Sequence, residues 1–266
     1  MSLIEVSIIT VGMNHKAYIK SLLNSLFVKN KPLIPFEMIY VDNCSNDGSV
    51  EYIKEYYPEV KIIVNKKPKG FGENNNTGVH HAKGKYIAII NPDIVLLQNS
   101  IDNLYQYIKS NDQIGIIAPE LLNPDGTHQF SVRKFITPSI FIYRLFSGLK
   151  DSASNKKVEE YLCKNIDIRK KQNVNWVIGA MFMMTKTKYK ELDGFDTKYF
   201  LYMEDEDICL RCWQKGYSVV YYPKSQVIHN HQRASSKLGK KSFIHIQSLL
   251  KFFIGHGFHV YDYVKQ

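Results

Sequence analysis

Val6-Ser7-Ile8-Ile9-Thr10-Val11 is the stretch from which the fold is read. Every residue but Ser7 is β-branched, and the run stops at Gly12-Met13-Asn14, so it reads as a buried strand. Tyr18, Leu22, Leu23, Leu26 and Phe27 follow at helical spacing. Residues 36–41 read as a second strand. The stretch Asp42-Asn43-Cys44-Ser45-Asn46-Asp47-Gly48-Ser49 is dense in turn and cap residues and opens a helix over about 49–57. Residues 60–64 and 86–90 are further strands. Between them Gly70-Phe71-Gly72 leads into an Asn-rich helix start. A helix over about 100–110 and a strand at 114–117 complete the series. Strands that alternate with helices in this way predict an α/β fold with a doubly wound, mostly parallel sheet. Such sheets bind ligands beyond the carboxyl ends of their strands, which is where Asp42 and Asp93 fall.

The second half is less regular. Residues 119–173 mix Pro, polar and Lys-rich stretches and are expected to form excursions with a mobile segment. Strands are expected at 176–184, 219–222 and 226–229. Helices are expected at 186–192, at 204–215 (closed by Gly216) and at 242–254. The 266 residues suit one large α/β domain, and 44% apolar with 23% charged residues is ordinary for a globular chain.

Lys+Arg 35 against Asp+Glu 25 gives a net charge of +10, which favours anionic partners. Nucleic acid is the poorer fit, because residues 196–207 cluster acids among aromatics and would repel a phosphate backbone. The cysteines Cys44, Cys163, Cys209 and Cys212 form no disulfide pattern. A lone CxxC at 209–212 lacks the second pair that zinc sites of this kind use. No apolar run is long enough to cross a bilayer, and residues 2–11 are too short for a signal peptide, so a cytoplasmic setting is expected.

Five constellations carry chemistry. Asp42 ends a strand, where a carboxylate can accept from a nucleobase ring N–H. A βα turn with caps is the plainer reading of the same residues. Gly70 to Gly78 combines glycines for close approach with a helix start that favours anions. Asn91-Pro92-Asp93 ends another strand and offers a carboxylate to Mg²⁺ or Mn²⁺. Asp196 to Asp207 places Glu204, Asp205 and Asp207 at a helix start. The helix dipole there lowers a carboxylate pKa and neighbouring acids raise it, conditions that suit a general base. His229 ends a late strand and can meet a metal or a phosphate.

Taken in order, VSIITVGMN (6–14), VDNCSNDGS (41–49), GFGENNNTG (70–78), NPD (91–93), GAMFMM (179–184), DGFD (193–196), YMEDEDICLR (202–211), KGY (215–217) and VIH (227–229) resemble inverting glycosyltransferases of family 2. The rhamnosyltransferase-like branch, which builds bacterial surface polysaccharide, is the nearest in look. The resemblance covers residues 5 to about 232. It implies a GT-A catalytic domain over 1–232, with 233–266 as a basic loop and an amphipathic helical extension. It implies a divalent cation, a dTDP- or UDP-sugar donor and a glycan or lipid-linked acceptor. By position it makes Asp42 the base contact, Asp93 and His229 the metal side, and Asp205 the catalytic base. Gly12, Asn14, Gly72, Asn75 and Asn91 would line the donor, and Trp176 and Glu204 would border the acceptor. Gly12-Met13 stand where relatives often carry Thr-Tyr, so contacts from this turn would be backbone ones. NPD stands where many relatives have DxD.

Arg233, Lys237, Lys240 and Lys241 could close over a diphosphate. The helix at 242–254 has two readings: packed on the domain, or lying on an anionic membrane at the inner face of the cell membrane. A metal-dependent nucleotidyltransferase is the enzymatic rival, although the turn Gly12-Met13-Asn14-His15 makes a poor phosphate loop for one. A non-catalytic glycan- or nucleotide-binding protein is the other rival. The sequence names neither sugar nor acceptor and leaves the oligomeric state open.

Overall fold

The structure is a computed structural model that describes residues 3–146, 155–230, 240–258, 260 and 262–264. The elements run β1 (Val6–Gly12), α1 (Lys16–Leu23, continued by a π-helical Asn24–Lys29), β2 (Phe36–Asp42), α2 (Ser49–Tyr56), β3 (Lys61–Val64), α3 (Phe71–His80), β4 (Tyr86–Ile90), β5 (Ile94–Leu96), α4 (Ser100–Lys109) and β6 (Ile114–Leu122). They continue with β7 (His128–Gln129), β8 (Val132–Arg133), α5 (Pro138–Phe146), α6 (Lys156–Tyr161), β9 (Gln172–Asn173), β10 (Trp176–Val177), β11 (Met181–Thr185), α7 (Lys186–Glu191), α8 (Glu204–Gln214), β12 (Ser218–His229) and α9 (Lys240–His256).

Among the described residues, the main sheet runs β3-β2-β1-β4-β11-β6-β12-β5. β1 pairs in parallel with β2 on one side and β4 on the other, with Gly12 opposite Asp42. Side chains alternate across a strand, so each sheet face has its own core. Ile9, Ile39, Val41, Ile87 and Ile89 face one layer, which holds Val79 of α3, Ile208 of α8 and Phe252 of α9. Ile8, Met38, Tyr40, Ala88 and Ile90 face the other, packed on α1, α2 and α4 through Leu22, Ile53 and Leu104. A strand covered on both faces is apolar throughout, which is why the Val6 to Val11 run lacks alternation.

The α/β class is as expected, and several details differ. β11 runs antiparallel and enters between β4 and β6. The strand expected at 176–184 is broken into β10, which pairs with β8 in a small separate sheet, and β11. The two late strands are one strand, β12, irregular between Tyr222 and Gln226. Residues 119–173 hold α5, α6 and short strands. Their expected mobile segment falls partly on 147–154, outside the described residues. Arg233 and Lys237 of the basic loop also lie outside them.

α9 packs on the α/β domain by one face. Leu249, Phe252 and Phe253 are buried, and Ser248 Oγ donates to the Leu201 carbonyl. Its opposite side leaves Phe243, Ile246, Leu250 and Ile254 exposed. Cys209 and Cys212 point into the core of α8, where burial drives both thiol pKa values up, Cys212 to about 12. Among the described residues no group of three or more His, Cys, Asp or Glu is placed to hold a metal.

Candidate active site

The carboxyl ends of β1, β2 and β4 meet where the chain order reverses around β1. Gly12 closes β1 against Tyr40: a Cβ there would lie 2.2 Å from the Tyr40 hydroxyl. Asn14, at φ 56°, stitches the two turns together. Its N–H donates to Ser45 Oγ at 3.0 Å, and its Oδ1 accepts from Asn46 N at 2.8 Å. Asp42 is 1% exposed. Its Oδ2 accepts from Ser45 N at 2.9 Å, while its Oδ1 is buried with no partner. A buried acceptor left unpaired costs about 1–3 kcal/mol, and a ligand N–H would remove that cost.

The glycine- and Asn-rich stretch packs closely against a neighbouring segment. A Cβ on Gly72 would meet Phe195 Cβ at 2.8 Å, and one on Gly70 would meet the Phe200 carbonyl at 2.7 Å. Both glycines admit the 195–200 segment. Asn76, absent from the sequence expectations, clasps Phe195. Its Nδ2 donates to the Phe195 carbonyl at 2.8 Å, and its Oδ1 accepts from Phe195 N at 2.9 Å. No local signal marks such a contact. Asn75 gives its Nδ2 to the Phe71 carbonyl and keeps a buried, unpartnered Oδ1.

On the next strand, Asn91 N donates to the Ala180 carbonyl at 2.8 Å, which fixes the turn that carries Asp93. Asp93 Oδ2 lies 3.5 Å from His229 Nε2, and Asp93 Oδ1 is buried without a partner. β5 and β12 create this meeting, since Ile94 pairs with His229. The ring of His229 is 3% exposed, and its Nδ1 lies 2.6 Å from Gln129 Oε1. One carboxylate and one imidazole suit Mn²⁺, with substrate phosphate oxygens completing the sphere, so the residues present fit a divalent cation.

Consecutive left-handed residues, Tyr202 (φ 70°) and Met203 (φ 69°), turn the chain sharply into α8. Such conformations cost of order 1–3 kcal/mol each and are held by surrounding packing. Asp205 follows with both oxygens engaged: Oδ2 accepts from Gly179 N and Oδ1 from Glu206 N, each at 2.9 Å. Gly179 lies in the break between β10 and β11, next to the Ala180 that holds Asn91, so Asp205 is tied to the same edge as Asp93. Burial raises the Asp205 pKa despite these N–H donors. Glu204 is raised to about 8, by burial first and then by Asp205, and its Oε2 is buried without a partner. Glu206, also raised by burial, accepts from Ile136 N. Asp207 goes the other way. Its burial is outweighed by His256 at 2.7 Å and by Arg211, whose Nε and Nη2 bind one oxygen at 2.7 Å each. Trp176 is a core residue, 7% exposed, with its ring N–H given to the Lys134 carbonyl at 2.7 Å.

The sequence profile described as Glycosyl transferase family 2 matches residues 7–193, which carry the Asp42 and Asp93 turns. The chain belongs to glycosyl transferase family 2. A second profile, described as the N-terminal domain of galactosyltransferase, matches residues 160–234, which carry Asp205 and His229. Among curated relatives, rhamnosyltransferase WbbL of Escherichia coli is 27% identical over 93% of this chain and 92% of its own length. N-acetylglucosaminyl-diphospho-decaprenol L-rhamnosyltransferase of Mycobacterium tuberculosis is 24% identical over 76% of this chain and 69% of its own. Solved structures share the fold. GalNAc-T7 with UDP, GalNAc and Mn²⁺ superposes with a TM-score of 0.65 at 19% identity, covering 90% of this chain and 45% of that one. A Pyrobaculum calidifontis mannosyltransferase with GDP-Man and Mn²⁺ gives 0.59 at 15%, covering 87% and 58%. The chain thus spans about half the length of these structures. As a family 2 glycosyltransferase of GT-A-like fold, it is an enzyme, and the nucleotidyltransferase and non-catalytic readings fall away.

Proposed function

We propose that this glycosyltransferase inverts the anomeric centre of a dTDP- or UDP-linked sugar as it transfers it to a hydroxyl of a glycan or lipid-linked acceptor in surface polysaccharide synthesis. The observation that carries this is the gathering of Asp42, the Asp93–His229 pair and Asp205 along one sheet edge. The rhamnosyl relatives make L-rhamnose the favoured sugar. We assign residues 1–232 to catalysis and 233–266 to the extension.

In this reading Asp42 Oδ1 accepts from the base, and the backbone of Gly12 and Asn14 lines the nucleotide with Asn75 and Asn91. Asp93 and His229 would hold Mn²⁺ or Mg²⁺, which neutralises charge on the departing diphosphate. Asp205, oriented by the Gly179 and Glu206 N–H groups, removes the acceptor hydroxyl proton. Its raised pKa makes it a better proton acceptor than an exposed aspartate. The oxygen then bonds to the anomeric carbon as the bond to the diphosphate oxygen breaks on the opposite face. Glu204, held neutral beside it, adds no second charge at the acceptor.

We also place the chain at the inner face of the cell membrane. The exposed stripe Phe243, Ile246, Leu250 and Ile254 follows one face of α9, and the net charge is positive. No helix among the described residues is long and apolar enough to cross a membrane, so the contact would be peripheral.

A thermal-shift panel of UDP-, dTDP- and GDP-sugars with and without Mn²⁺ tests the donor. Saturation at 100 times Kd adds about 2.7 kcal/mol of stability. A shift that needs both nucleotide and Mn²⁺ is the expected result, and no shift with any of them would sink the proposal.

A further inference from the structure

We propose that Gln129 is a positioning residue for His229, fixing the ring as its Nδ1–H tautomer so that Nε2 is an electron-pair donor facing Asp93. This rests on the reading of Asp93 and His229 as the cation site. The hydrogen bonds run from the surface inward, each group deciding the next.

Asp125 is a carboxylate and only accepts, so the Thr127 hydroxyl, 2.6 Å away, donates to it. The Thr127 oxygen is then left to accept from Asn123 Nδ2 at 2.9 Å. The same Nδ2 reaches the His128 carbonyl at 3.3 Å, another group that only accepts. The orientation of the Asn123 amide is thereby fixed, and its Oδ1 must be the atom facing Gln129. Gln129 Nε2 donates to that oxygen at 3.1 Å, which fixes the second amide. Gln129 Oε1 therefore faces His229 Nδ1 at 2.6 Å, and since an amide oxygen has no proton to give, Nδ1 carries it.

In a neutral ring the other nitrogen, Nε2, then carries a lone pair and no proton. It faces Asp93 Oδ2 at 3.5 Å, beyond hydrogen-bond length. Two acceptors turned towards each other at that separation suit a shared cation, not a shared proton. The whole relay lies in the β6–β7 hairpin, residues 123–129. A second tether holds that hairpin to β12: Glu120 bridges His128 Nδ1 at 2.8 Å and Gln226 Nε2 at 2.8 Å. Partners of this kind orient metal-binding imidazoles and are typically worth 10–100-fold in metal affinity.

The test uses the full chain. Long-range ¹H–¹⁵N correlation of the metal-free protein at pH 8, with the His229 signals assigned by their loss in His229→Gln, reads the tautomer directly. The wild type is expected to carry its proton on Nδ1. Gln129→Met, close in volume, is expected to shift the proton to Nε2 and weaken Mn²⁺ binding in the presence of UDP by 10–100-fold. Gln129→Glu restores an acceptor and is expected to keep both the tautomer and the affinity, which also separates the effect from a folding defect. A wild-type ring protonated on Nε2, or one unmoved by Gln129→Met, overturns the proposal. The expected tautomers with no Mn²⁺ binding by any variant would support the positioning role and overturn the cation reading alone.

Discussion

Asp205 is where the chemistry can be tested most directly. Asp205→Asn keeps the shape and removes the base, so transfer should fall by about 10²–10⁴-fold while the donor Kd stays within about twofold. Normal turnover would show that another group takes the proton. Glu204 makes a pH prediction. Unfolded, it releases its proton near 4.5; folded, it keeps it to about 8. Between those values the folded chain binds the extra proton, so this group makes stability fall as pH rises. Glu204→Gln should therefore gain Tm relative to wild type between pH 5 and 8, by at least ~2–4 °C, the equivalent of about 1 kcal/mol. A difference in Tm that stays flat with pH would refute it. At Gly12, Ala would collide with the buried Tyr40 ring and should cost about 1–3 kcal/mol in a denaturation midpoint. Asp42, Asp93, Asp205 and His229 could be singled out as candidates in the sequence because each sits at an element end in a motif of its own. Gln129 and Asn76 could not, since their partners lie 100 and 119 residues away.

At the level of elements, the parallel strands could be read because burial on both faces makes them uniformly apolar. The direction of β11 could not, because a short apolar run looks the same whichever way it points. The break between β10 and β11 was hidden too, as Ile178 and Ala180 are apolar. Its cause is Gly179, which brings an N–H to Asp205 and leaves only 3.2 Å between its own Cβ position and Asp205 Cβ. Gly179→Ala should push the carboxylate aside and lower kcat, by up to about 10²-fold, without changing donor affinity. An unchanged kcat would mean that this junction does not set the base. The GFG motif carries a related lesson. Glycine before a helix suggested an anion cradle, and the close approach of residues 195–200 to the same glycines was invisible in the sequence.

Across the whole molecule, the excess positive charge and the exposed stripe of α9 point the same way. The protein should float with anionic liposomes and lose that binding as salt rises. Leu250→Glu with Ile254→Glu should abolish flotation and leave transfer to a water-soluble acceptor intact; flotation by that double variant would exclude the stripe. The other face of α9 has a different consequence. His256 reaches Asp207, two residues beyond the proposed base, at 2.7 Å. A chain clipped ahead of α9 would lose that brace beside its base and, with Phe252, part of the layer under β1 and β2, so the last helix ties the chemistry to the integrity of the sheet.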